Sequence, residues 1–94
     1  MKRIIDKVPL TELLAGLAEE SCELAQAALK MRRALDGTNP TPVSVNKALD
    51  ALQEEIADVL LYAESLQPVW KTIMDTMIEK KERWAKRLEE VKVE

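Results

Sequence analysis

Glu20 and Glu23 stand three residues apart in AEESCEL (18–24), and Glu55 and Asp58 stand three apart in QEEIADV (53–59). Residues at that spacing are neighbours on a helix surface. In register at an offset of 35 (55 − 20), Leu17 also matches Leu52, Glu19 matches Glu54 and Ala28 matches Ala63. At about 100° per residue, Glu20 falls at the border of an apolar arc with Glu23 about 60° further out, and Glu55 and Asp58 take equivalent places. Antiparallel packing of two such helices would gather the carboxylates. Clustered carboxylates repel and lose hydration, a costly arrangement unless a cation sits among them. One Glu-x-x-Glu is an ordinary solvated face; its repetition at equivalent positions favours a metal site made of Glu20, Glu23, Glu55 and Asp58. An all-oxygen donor set suits Mg²⁺ or Mn²⁺, and Mg²⁺ commonly binds substrate phosphates together with carboxylates. A phosphate-bearing substrate is the corresponding expectation.

Other chemistries are excluded by what is missing. The chain has no His and a single cysteine, Cys22. That removes Ser-His and Cys-His nucleophiles, HExxH zinc sites, di-iron centres built on Glu-x-x-His, and any intrachain disulfide. Cys22 points away from the carboxylates and is expected as a small buried hydrophobe. The net charge is −3, with Lys and Arg interleaved among acids. Nothing resembles a basic stripe, so nucleic acid is not an expected partner. No apolar run approaches the ~20 residues of a membrane span, and the first residues lack the apolar core of a signal peptide. A cytoplasmic protein with no membrane partner is expected.

The elements that must position these groups are helices. Two Gly, four Pro and no Phe among 94 residues, with abundant Ala, Leu, Glu and Lys, favour an all-α domain near the small end of what buries its own core. Leu10, Leu13, Leu14, Leu17, Leu24, Ala28, Met31 and Leu35 recur at helical spacing, predicting a helix over 10–35 that Pro9 can introduce. GTNPTP (37–42) is a connection, after which Thr41 offers an N-cap and Pro42 a first turn for a helix over 43–66. Pro68 breaks the pattern and starts a third helix over 68–91. There Trp70, Met74, Met77, Lys81, Trp84, Leu88 and Val91 form a seam at alternating spacings of four and three, with Lys81 its anomaly. Short connections predict an antiparallel helical bundle of sequential neighbours.

At these residues the sequence resembles the MazG-like all-α nucleoside triphosphate pyrophosphohydrolases, a superfamily similar also to dCTP pyrophosphatases, dimeric dUTPases and phosphoribosyl-ATP pyrophosphohydrolases. The pattern of that family, EExxE, a spacer, then ExxD, reads here as Glu19, Glu20 and Glu23, then Glu55 and Asp58, within LAEESCELAQAALK (17–30) and ALQEEIADVLLYAESL (51–66). The resemblance implies a helical fold completed by dimerisation and Mg²⁺ on Glu20, Glu23, Glu55 and Asp58. It also implies hydrolysis of a nucleoside triphosphate or deoxynucleoside triphosphate between the α and β phosphorus atoms, giving monophosphate and pyrophosphate. One of Glu19, Glu20 and Glu54 would take the proton. The family often continues with Lys, Asn and Arg; the matching positions here are Lys80, Trp84 and Arg87, so Trp84 stands where that amide would be.

The residues of the third helix are consistent with part of this transfer. Lys80, Arg83 and Arg87 share one side at the seam's border, placed to neutralise phosphate charge, although alternating charges on such a helix also make an ordinary solvated face. Lys30, seven residues after Glu23 on the same side, is a further phosphate contact to expect. Tyr62, one turn beyond Asp58, could stack on a base or sit at the core's edge. Trp70 and Trp84 fit packing. A second apolar strip on the first helix, Ala15, Ala18, Cys22, Ala25 and Leu29, calls for cover on both sides and so for a homodimer or homotetramer. The alternatives are a phosphoribosyl-ATP pyrophosphohydrolase and a non-catalytic helical interaction module of the same fold. The GTNPTP and ALKMRR stretches favour the MazG-like reading over the former.

Overall fold

The computed structural model describes residues 4–38 and 43–92. Among them are a 3-10 turn, Ile4–Asp6, and three helices: α1 (Leu10–Asp36), α2 (Val45–Ser65) and α3 (Gln67–Lys92), with no strand. The all-α expectation holds. Helix α1 starts directly after Pro9, whose carbonyl accepts from the backbone N–H groups of Glu12 (3.0 Å) and Leu13 (3.1 Å). It ends at Gly37, which takes the left-handed conformation at φ 76° that a side chain would disfavour. Asp36 secures that end by accepting from the Thr38 backbone N–H (3.0 Å) and hydroxyl, and these bonds hold its carboxyl below the usual range.

The start of α2 differs from expectation. Thr41 and Pro42 lie outside the described residues, and the N-cap is Ser44, whose hydroxyl accepts from the Lys47 N–H at 3.1 Å. Ser is as good a cap as any, because its short side chain reaches the orphan donors of the first turn. Helix α2 ends at Leu66 (φ −82°, ψ 60°), and α3 begins at Gln67, one residue before Pro68.

Helices α1 and α2 pack against each other as an antiparallel pair, since Gly16 meets Tyr62 while Glu20 meets Glu55. The predicted bundle stops there. Helix α3 makes little contact with α2 and less with α1. A single residue, Leu66, separates α2 from α3, and helices that fold back on one another need about 2–8 residues of connection. The α3 seam is therefore uncovered: Met74 is 47%, Met77 56%, Trp84 67% and Val91 71% exposed. Trp84 is not a packed residue within this chain. Cys22, expected to be buried, is exposed because the second strip of α1 also has no cover. Among the described residues only Leu13, on α1, and Ala48, on α2, are fully buried apolar side chains.

Candidate functional site

The α1–α2 pairing brings the two acidic stretches together. Carboxylate oxygens of Glu20, Glu23 and Glu55 all lie within 4.8 Å of one another. Glu20 and Glu55 are half-buried and Glu23 is exposed, as their positions on the helical arcs require. Asp58 is outside that trio of oxygens but half-buried beside it, and its charge acts on both Glu20 and Glu55. Glu19 and Glu54 are exposed, so of the expected proton acceptors only Glu20 stands in the cluster.

The electrostatics are those of crowded acids. Loss of hydration, then the Glu23 charge, then a hydrogen bond with Glu55, push the Glu20 carboxyl up from 4.5 to about 7. Glu55 is also raised, chiefly by lost hydration, against a hydrogen bond from Glu20 that favours its charged form. The Oε2 atoms of Glu20 and Glu55 are shielded from solvent and find no donor among the described residues. Such orphaned acceptors are uncommon in folded proteins and call for an explanation, an unseen ion among them.

Two hollows flank the cluster. One, about 650 Å³ in volume, has Glu23 and Glu55 at its edge and continues over Gln26, Lys30 and Arg33. Lys30 was expected from the sequence; Arg33 was not, although it follows Lys30 by three residues and so shares its side of α1. The other, about 430 Å³, begins at Glu20 and Asp58 and runs over Leu61 and Tyr62 to Glu12 and Ser65. Tyr62 is half-buried, and its ring lies across Gly16: a Cβ built there would fall 2.2 Å from the Tyr62 Cε1 and 2.7 Å from its hydroxyl oxygen. Gly16 was not singled out by sequence, where a lone glycine inside a helix signals only a local cost.

The cations of α3 are elsewhere. Lys80 lines a hollow with Met77, Ile78 and Trp84, and Arg83 one with Glu79, Glu82 and Lys86, and no cluster carboxylate lines either of these two. Arg87 is exposed on the same helix. Among the described residues, Glu23, Glu55 and Lys30 line one hollow and Glu20, Asp58 and Tyr62 another, while Lys80 and Arg83 line others.

No family model matches the chain, and no curated protein and no solved structure matches it.

Proposed function

We propose that this protein is a Mg²⁺-dependent nucleoside triphosphate pyrophosphohydrolase of the MazG-like type. The observation that carries the reading is the convergence of Glu20, Glu23 and Glu55 from two antiparallel helices, with shielded, donorless oxygens on Glu20 and Glu55. Those orphaned acceptors fit a hard divalent cation, for which oxygen is the preferred ligand. Glu20, Glu23, Glu55 and Asp58 would hold it. When bound, Mg²⁺ or Mn²⁺ supplies positive charge that polarises a phosphoryl oxygen and acidifies water.

The chain's own groups set the direction of the substrate. Lys30 and Arg33 lie on one side of the carboxylates and suit the β and γ phosphates, because ammonium and guanidinium groups donate charge-assisted hydrogen bonds to phosphate. The nucleoside then lies on the other side, over Tyr62. Water adds to the α-phosphorus, the bond from that phosphorus to the bridging oxygen breaks, and pyrophosphate leaves with the bonding pair. The water's proton goes to one of Glu19, Glu20 and Glu54. Lys80, Arg83 and Arg87 can serve the phosphates only where another copy of the chain presents them.

Incubation with a panel of NTPs and dNTPs plus Mg²⁺, with chromatographic identification of the products, tests the reading. Monophosphate and pyrophosphate are expected. Diphosphate with inorganic phosphate, or no turnover across the panel, would overturn it.

A further inference from the structure

Two cations of α1 share a hollow with two of the cluster carboxylates without closing on them. Lys30 and Arg33 line the space that has Glu23 and Glu55 at its edge. A surface cation paired with a carboxylate stands within about 4 Å of it, yet among the described residues neither Lys30 nor Arg33 forms an ion pair with Glu23 or Glu55. Arg33 is half-buried, and its charge also acts on Asp36.

Helix geometry accounts for the separation. Lys30 and Arg33 follow Glu23 by seven and ten residues, which is roughly 10 and 15 Å along a helix at 1.5 Å per residue. Side chains on a helix tilt toward its N-terminus, so both long cations lean back over the intervening turns toward Glu23. Helix α2 contributes Ala51, one turn before Glu55, and a methyl group neither pairs with a cation nor fills the space. What remains is a hollow of about 650 Å³ with acids toward one end and cations toward the other. A group that satisfies both ends must offer oxygens to a metal held by the carboxylates and further negative charge to Lys30 and Arg33. Pyrophosphate does both, with one phosphoryl group for each end. Without a metal the same hollow repels it, because Glu23 and Glu55 face it with like charge.

We infer that the hollow over Lys30 and Arg33 is a retention subsite for free pyrophosphate, which binds there together with the divalent cation and keeps the next nucleotide out. The inference takes the metal-dependent pyrophosphohydrolase reading as its premise and adds a regulation of the same site. Turnover is held back by its own product, so a reaction that hydrolyses pyrophosphate to phosphate must keep it running. By linkage, metal and pyrophosphate strengthen each other's binding by the same factor.

The test titrates inorganic pyrophosphate, with inorganic phosphate as the comparison, into the full chain by calorimetry in EDTA and in excess Mg²⁺. Wild type, Lys30→Gln and Arg33→Gln are compared, each checked for fold by circular dichroism; Lys30 is exposed, so its replacement leaves the packing alone. In Mg²⁺, wild type should bind pyrophosphate about tenfold or more tighter than phosphate, and far tighter than in EDTA. Each variant should lose about tenfold or more, the scale of one charge-assisted hydrogen bond, while its Mg²⁺ affinity without pyrophosphate stays that of wild type. In turnover assays, added pyrophosphate should compete with the nucleotide, and an inorganic pyrophosphatase should relieve the inhibition. Pyrophosphate binding no tighter than phosphate, binding indifferent to Mg²⁺, or variants that bind as wild type does overturn the subsite while leaving pyrophosphate release intact. Mg²⁺-dependent binding without turnover of any nucleotide supports the subsite and overturns the hydrolase reading; neither binding nor turnover overturns both.

Discussion

Glu20 carries the clearest consequence at the scale of a single residue. Its carboxyl titrates near 7 in the folded chain against about 4.5 ordinarily, so between those values the folded state holds the extra proton. A carboxyl raised in this way contributes stability that is complete below about pH 4.5 and is lost as the pH climbs through about 7. Metal-free protein should therefore melt at a lower temperature at pH 8 than at pH 5.5, and Glu20→Gln should flatten that dependence. Thermal melts in EDTA across this range measure it. The neighbours Glu55 and Asp58 bear on the same repulsion. Glu55→Gln or Asp58→Asn should leave metal-free stability unchanged or slightly raised, yet reduce turnover by about a hundredfold or more if these groups hold the cation. Wild type should gain about 2.7 kcal/mol when Mg²⁺ is a hundredfold above its Kd, and the two variants should lose most of that gain. Melts with and without Mg²⁺ distinguish this from structural ion pairing, in which both variants would melt well below wild type in EDTA and respond to Mg²⁺ as it does.

At the scale of the elements, the α1–α2 pairing depends on a glycine that looks unfavourable by itself. Gly16 in a helix interior costs about 1 kcal/mol relative to Ala. It is accommodated because the Tyr62 ring of α2 occupies the space a Cβ would need, bringing the helices close where the hollow over Tyr62 begins. Gly16→Ala should thus destabilise the chain by about 1–3 kcal/mol through overpacking. In a Tyr62→Ala background the same change should reverse sign and stabilise by up to about 1 kcal/mol, since the helix then gains the better former with nothing to displace. A double-mutant cycle by chemical denaturation reads the inversion, and additive effects would refute the contact. The cap at the start of α2 is simpler. Ser44→Ala removes the acceptor for the Lys47 N–H and should cost about 1 kcal/mol.

For the whole molecule, the balance of surface is the controlling fact. The chain exposes 7828 Å² and has a radius of gyration of 17.2 Å. A folded monomer of this mass would expose about 5,500 Å², and one of about 100 residues would have a radius near 13 Å. Large apolar side chains are among what is exposed: Met74, Met77, Ile78, Trp84, Leu88 and Val91 on α3, with Leu29 on α1, are open. Burying such surface returns ~25 cal/mol per Å², more than an isolated α1–α2 pair can retain by leaving it wet. Light scattering at micromolar concentration should report a dimer or tetramer, with a melting temperature that rises with protein concentration. Trp84→Glu should shift the population toward monomer and lower the melting temperature. A folded, active wild-type monomer would contradict this expectation. No helix of the described residues is long and apolar enough to cross a membrane, so lipid does not cover these faces by a span.

Helical periodicity in Leu10 to Leu35 and Val45 to Leu66, and the repeat of Glu20 and Glu23 in Glu55 and Asp58, were legible without coordinates because they are local. The 3.6-residue turn alone assigns each side chain to a face. Which faces meet is a different kind of fact, decided by packing between residues distant along the chain. Only the tertiary structure shows Tyr62 on Gly16 and Arg33 beside Lys30 at the carboxylates. It also decides against the simplest reading of α3. The seam from Trp70 to Val91 announces a helix that needs a partner, but a one-residue joint at Leu66 prevents that partner from being α2 of the same chain. Periodicity records that a face is apolar; the length and geometry of the connections determine which face it can reach.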